Sequence, residues 1–425
     1  MQELFNGIAD YAVSLLQGDE IINLNFEGEE SDFVRFNHNR VRQPGSVRSC
    51  DLGIDLIHGT THAEMQISLT GVMPEDQGRV KRAIEDLRGR LDHIPEDPHL
   101  LYATEVNSTE RTGEDKLPAR EDAVASIIEK GEGKDLVGIY AQGPIYRGFA
   151  NNLGQRNWFA TSSFNFDYSF YLRDDKAVKS SYAGFEWDEV ALARKMDDAA
   201  KQLEVLSLEP KTIARGKYRA YFAPAAVNEI AGMLAWGGFG LKSHKSKISC
   251  LIRMTEGDAR VHPAVSMVEN TRDGIAPNFD SKGFIKPDQV VLLEQGTFKD
   301  PLVSPRTAKE YGVPTNAAPG GEWPESFEMT AGDLEQEQVL KKLGTGAYIN
   351  NLHYLNYSDR MACRLTGMTR FATFWVEDGK IVAPLNVMRF DESFYRMFGE
   401  NLIALTKERE MILENMTYGG RQVSS

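Results

Sequence analysis

Apolar and polar residues change period several times along this chain, and each change marks an element. Leu4, Phe5, Ile8, Tyr11, Ala12, Leu15 and Leu16 recur at helical spacing and predict a helix over 3–17. Residues 20–70 read as a meander of strands. Within it DLGIDLIHG and TTHAEMQISL alternate around Gly59-Thr60, a hairpin signal. A helix follows over about 76–93, with Val80, Ile84, Leu87 and Leu91 on one face. Residues 94–118 are rich in Pro, Asp, Glu and Thr and read as an irregular connection, after which Pro118 opens a helix through AREDAVASIIEK. Strands resume at DLVGIYAQG and continue through NWFATSSFNFDYSFYLRDD. There Phe164, Phe166, Tyr168 and Phe170 stand at period two, a single strand face that suits a core or domain interface better than a nucleic-acid stacking platform. A helix over 187–206 closes this half.

The stretch 206–210 (LSLEP) is the linker candidate. Beyond it GKYRAYFA reads as a strand and is followed by an apolar helix carrying residues 228–233. Hairpins are expected at Gln295-Gly296 and, more strongly, at Asp378-Gly379. Asp333 begins an N-cap pattern for a helix to about Leu343, stopped by Gly344. A last amphipathic helix is expected over 392–410. Helices and strands do not alternate regularly, which argues for an α+β protein with an N-terminal domain over 1–210 and a β-rich C-terminal domain over 211–425.

Composition narrows the function. At 425 residues the chain is long enough for two or three cored domains, and 41% hydrophobic with 26% charged residues is ordinary for a globular protein. A net charge of −14 repels polyphosphate, so neither nucleic acid nor an anionic membrane is an expected partner. Arg35, Arg40, Arg42 and Arg48 are interleaved with Asp32 and Asp51 and read as a solvated strand face. Cys50, Cys250 and Cys363 lack metal-type spacing and suit a reducing compartment. The N-terminal helix has no basic n-region or cleavage site, and no run of 18 apolar residues exists, so a cytoplasmic location is expected.

Asn228-Glu229-Ile230-Ala231-Gly232-Met233 is the segment with chemical interest. A zinc hydrolase needs neutral imidazoles, thiolates or carboxylates around the metal, an open water position and a base. In a helix motif of two histidines and a glutamate, the histidines ligate and the glutamate is the base. Asn228 is an uncharged, weak oxygen ligand, and the soft Met233 thioether suits copper(I) rather than zinc. On spacing alone the segment is an amphipathic helix with Asn228 exposed and Met233 packed.

Three other segments give it a context: 344–390 (GTGAYINNLHYLNYSDRMACRLTGMTRFATFWVEDGKIVAPLNVMRF), 278–284 (NFDSKGF) and 151–163 (NNLGQRNWFATSS). In order and spacing they resemble the TldD/PmbA family, which pairs a zinc-peptidase subunit of TldD type with a paralogue of TldE or PmbA type lacking the ligands. The resemblance implies that the family's His-Glu-x-x-x-His lies at 228–233, with Asn228 and Met233 in the histidine positions and only Glu229 kept. It also implies a third ligand, a cysteine in a late Gly-x-Cys-Gly-Lys segment, where this chain has Met416-Thr-Tyr-Gly-Gly-Arg421. Cys363, which precedes Thr366-Gly367-Met368, does not match. The chain ends at Val423, Ser424 and Ser425 where relatives continue into another apolar strand, so a shortened C-terminus is expected.

The resemblance thus implies a metal-free, catalytically inactive homologue of a zinc peptidase that needs no cofactor of its own. It is expected to be a homodimer, or a heterodimer with a TldD-like paralogue, and to bind unfolded peptide substrate as a non-catalytic subunit. Glu229 and His353 are the expected substrate contacts. Two alternatives stand beside this: an active metallopeptidase with a different ligand set (His353 or His262 with Cys363 and Glu229), and a non-enzymatic regulator of the DNA gyrase modulator type. His58 and His62 with Glu64 mimic a metal pair but lie across a hairpin turn. Ser246, Ser249 and Cys250 lie near His244 without a glycine elbow.

Overall fold

The structure, a computed structural model, describes residues 1–173 and 176–413. Long alternating stretches become long strands. Strands β1 (Ile21–Asn37) and β2 (Arg40–His58) form an extended hairpin. His38 and Asn39 turn it with φ of 50° and 53°, the left-handed pair that matches strand twist. Strand β3 (Thr61–Ser68) returns across Gly59-Thr60 as the alternation predicts. Helices α1 (Gln2–Ser14) and α2 (Met73–Leu91) cover this region, burying Phe5 and Ile8, and Val80, Ile84 and Leu87, against Leu24, Phe26 and Leu52.

Residues 94–118 are not wholly irregular. Thr109–Thr112 forms strand β4, parallel to the start of β6. It is too short and polar to leave an alternation signal. Helix α3 (Arg120–Lys130) follows, then strands β5 (Asp135–Asn151), β6 (Arg156–Arg173) and β7 (Lys176–Gly184). The sheet order is β3-β2-β1-β5-β6-β4, with β7 also pairing β6. Asp188 caps helix α4 (Glu189–Leu206) by accepting from Val190 and Ala191. The aromatic face of β6 is core: Phe164, Phe166 and Phe170 are wholly buried, against α3, α4 and β7.

The second half has two smaller sheets. Strand β8 (Ala220–Phe222) leads into helix α5 (Pro224–Ala235). Short helices α6 (Leu241–Lys245) and α7 (Ile252–Thr255) precede strands β9 (Met267–Glu269), β10 (Val290–Glu294) and β11 (Thr297–Phe298). After helix α8 (Pro305–Tyr311) comes strand β12 (Phe327–Met329), giving a sheet of order β11-β10-β9-β12. Helix α9 (Val339–Leu343) precedes strands β13 (Gly346–Asp359), β14 (Arg364–Glu377), β15 (Lys380–Pro384) and β16 (Arg389–Ser393). These order as β15-β14-β13-β8, with β16 on β14. Both expected hairpins form, Glu294 facing Thr297 and Glu377 facing Lys380.

With 25% helix and 38% strand the protein is α+β. Three local expectations need correction. GKYRAYFA gives only a three-residue strand, its first part being exposed. Asp333 caps nothing: residues 336–338 make a 3-10 turn before α9. The amphipathic stretch 392–410 is not one helix, because β16 runs to Ser393, a single kinked turn follows, and Gly399 breaks it (φ −105°, ψ −112°). Its apolar residues Phe394 and Phe398 still reach the core, which is the signal the periodicity carried.

The two halves interlock. Ala372 and Phe374 of β14 complete the core around Phe164, Phe166 and Met196. In return residues 271–286 lie on the first sheet. Arg111 donates to the carbonyls of Thr271 (2.7 Å) and Ala276 (2.8 Å), and Gln155 to that of Gly283 (2.8 Å). Phe279 packs with Phe149 and Phe159. The Asp280 carboxylate accepts the backbone N–H groups of Lys282 and Phe284, closing the turn. NFDSKGF is therefore a plug that fastens one half to the other.

Candidate functional site

Helix α5 starts with Pro224 at its first turn, a position that wastes no hydrogen bond. Two stripes run along it. Ala226, Ile230, Met233 and Leu234 are buried in the second-half core. Pro224, Val227, Asn228 and Ala231 line a large groove, while Glu229 is exposed. Residues five apart on a helix are separated by about 140° around its axis. Asn228 and Met233 accordingly diverge, one toward the groove and one into the core. The Met233 carbonyl accepts from the Tyr357 hydroxyl, fixing that end of the helix to β13.

The groove encloses about 1880 Å³. Ala347 and Ile349 of β13 and Thr366 and Thr369 of β14 contribute to its lining, as do β12 and the segment 400–412. Two sheet edges open into it. β8 pairs with β13 in parallel register, Ala220 beside Ala347 and Phe222 beside Ile349. Ala347 N–H bonds to the Arg219 carbonyl and Ala223 N–H to the Ile349 carbonyl. By alternation the peptide groups of Ala220 and Phe222 point away from β13. On the other sheet, Asn270 bonds to the Ser326 carbonyl and Thr330 to that of Ser266, so the peptide groups of Phe327 and Met329 on edge strand β12 point outward likewise.

Charged groups of the lining are held in defined pairs. Arg364 binds Asp391 at 2.6 Å and keeps its carboxyl below the ordinary range. Burial would raise Glu328, but hydrogen bonds from Asn270 and Arg409 outweigh it and lower its pKa. Burial pushes the Tyr221 hydroxyl up despite its bond to Gln336.

A family profile for the PmbA/TldA metallopeptidase C-terminal domain matches residues 215–424. The C-terminal half of the chain belongs to the TldD/PmbA family. A candidate modulator of DNA gyrase from Thermotoga maritima superposes with a TM-score of 0.75 at 16% identity, covering 93% of this chain and 94% of that one. TldE from Thermococcus kodakarensis superposes with a TM-score of 0.72 at 13% identity, covering 93% of each chain. At such identities these neighbours establish the shared fold. Among curated proteins none matches the sequence significantly.

Zinc, which this metallopeptidase-related family implies, does not fit what α5 presents. The two positions that the resemblance aligns with the family's histidines hold a neutral amide and a core thioether on different faces of the helix. The late cysteine position, Met416 to Arg421, and the chain end at Val423 lie outside the described residues.

Other expected contacts disperse. His353 is half-buried, its ring tilted by 40° against that of Tyr354 (centroids 4.0 Å apart), and neither it nor Glu229 is among the described residues lining the groove. His262, His353, Cys363 and Glu229 do not converge into a ligand group among the described residues. Cys363 is wholly buried, in the same core cluster as Cys250. The Ser249 hydroxyl lies 3.4 Å from His244, yet it donates to the Gly238 carbonyl (2.8 Å) and is fully buried, so its role is structural. Arg40, Arg42 and Arg48 are exposed on β2, with Arg48 paired to Glu30.

His58 and His62 also separate. His58 bonds Asp19 on the surface. His62 bonds Asp55 (3.0 Å) through Nδ1 and approaches Asp97 (3.4 Å) through Nε2. Asp55, His62 and Glu64 have metal-like proximity, but Lys282 of the plug binds Asp55 (2.8 Å) and Glu64 (2.5 Å), and Arg306 binds Asp97. This is an ion-pair cluster between the halves, and the Asp55 hydrogen bond raises the His62 pKa. Asp55, Asp97 and Lys282 carry no sequence signal, since only the tertiary contact brings them to His62.

Proposed function

We propose that this chain is a metal-free TldE/PmbA-type subunit that binds extended segments of unfolded peptide in its groove and leaves cleavage to a partner. The observation that carries the reading is the divergence of Asn228 and Met233 on α5, beside a groove bordered by two outward-facing sheet edges. An added strand on β8 or β12 gains main-chain hydrogen bonds independent of sequence, which suits a binder of unfolded chains. Glu229, exposed one residue from the groove stripe, and His353 on β13 serve as secondary peptide contacts at its margins. The chain acts in the cytoplasm, as a homodimer or with a TldD-like zinc-peptidase paralogue, and does not engage nucleic acid, consistent with its charge of −14.

Purification after zinc loading, followed by elemental analysis and a peptidase assay with and without the paralogue, tests this. Substoichiometric zinc is expected, with no cleavage by the chain alone and stimulated cleavage by the pair. Stoichiometric zinc together with chelator-sensitive cleavage by the chain alone would overturn the reading. Recovery of a topoisomerase and no peptidase-like partner in a pull-down would favour a regulator instead.

A further inference from the structure

The groove lining is balanced in charge, with seven acidic and seven basic residues, and what distinguishes it is how they pair. Its acidic groups are engaged: Glu328 with Arg409, Asp391 with Arg364, Glu392 and Glu400 with Arg396. Glu410 is bound by Lys195 from α4, Asp273 by Arg272, and Glu408 accepts the Gln336 backbone N–H. Arg389 is held by Thr366 close to Asp391. Three lining cations remain. Arg215, Lys217 and Arg219 have no carboxylate within ion-pair distance among the described residues, and all three are exposed. They occupy alternate positions in the segment that runs directly into the open edge of β8.

We propose that this groove selects extended peptides rich in aspartate and glutamate, with Arg215, Lys217 and Arg219 as its specificity determinants. The inference rests on the peptide-binding reading above and adds the substrate class. A strand laid along β8 projects alternate side chains on one side, at roughly 6.6 Å intervals. Acidic residues in every second position would then share one face beside the three cations. The remote acidic surface does not cancel this attraction, because charges separated by more than about 8 Å are screened at physiological salt. The Arg219 carbonyl is tied to β13 through Ala347, which anchors the cationic segment at the edge where the peptide docks.

The test uses three fluorescein-labelled decapeptides that alternate valine with glutamate, glutamine or lysine, titrated into the full chain by fluorescence anisotropy. The glutamate peptide is expected to bind about tenfold more tightly than the lysine peptide at low salt, with a smaller gap at about 0.5 M NaCl. The charge-reversed variant R215E/K217E/R219E, checked for folding by its melting temperature, is expected to prefer the lysine peptide. Equal affinity for all three peptides, or an unchanged preference in the variant, overturns the charge selection and leaves peptide binding standing. Binding of none of them overturns both.

Discussion

At the scale of single residues, the decisive pair is Asn228 and Met233. Their chemistry argues against zinc, and their opposite orientation strengthens that argument, because restoring histidines would not restore a site. Asn228→His should be tolerated, since the side chain faces the groove. Met233→His puts a polar ring among Ile230, Cys250 and Leu251 and should cost about 2 kcal/mol or more. The double variant is expected to bind no zinc by elemental analysis and to melt lower than wild type. Asp280 is the second informative residue. One carboxylate oxygen closes the plug turn, the other is buried with no partner among the described residues, and burial raises the pKa to about 7. Asp280→Asn keeps the turn acceptor and should fold normally. Asp280→Ala strands two backbone donors and should lose about 1–3 kcal/mol in denaturant titration.

At the scale of elements, strands with clear alternation and two-residue turns match their expected positions, while short polar strands do not. Strand β4 exists because β6 offers it a parallel edge, not because Thr-Glu-Arg-Thr prefers extension. The plug 278–284 shows what a motif can mean structurally. Gly283 has φ of +87°, and a Cβ there would lie 2.7 Å from the Phe149 ring. Gly283→Ala therefore combines backbone strain with a clash against the first sheet. It is expected to destabilise by about 2 kcal/mol or more, seen as a lowered midpoint in urea. A midpoint equal to wild type would show that the plug adapts and does not lock.

At the scale of the whole molecule, stability should depend on pH through buried groups, among them Asp280 and His62 at the junction of the halves. Burial raises Glu269 and Asp280 to about 7, and Asp55 raises His62. In each case the folded state holds its proton more tightly than the unfolded chain, so the stabilisation is complete below the unfolded pKa. It is lost as pH rises through the folded one. His244, lowered by burial, works in the opposite direction. Three raised groups against one lowered should give a higher melting temperature at about pH 5.5 than at about pH 8, with a smaller difference in Asp280→Asn. The shared core makes a second prediction. Without Ala372 and Phe374, a fragment of residues 1–210 exposes the aromatic face of β6 and should bind a hydrophobic dye and melt below the intact chain. A fragment as stable as the full protein would show the halves to be independent.

The sequence by itself determined the long strands, most helix positions and three hairpins, because period and turn chemistry are local properties of the chain. It also determined that no histidine stands at 228 or 233, and its ordered motifs pointed to the family. Only the tertiary structure decided which way those two side chains face, since helical phase becomes orientation once α5 packs against β13. It alone disclosed that His62 belongs to an inter-half ion cluster with Lys282, that His353 is not among the described lining residues, and that β8 and β12 open into one groove. Each of these depends on residues distant in the chain meeting in space, which no local pattern records.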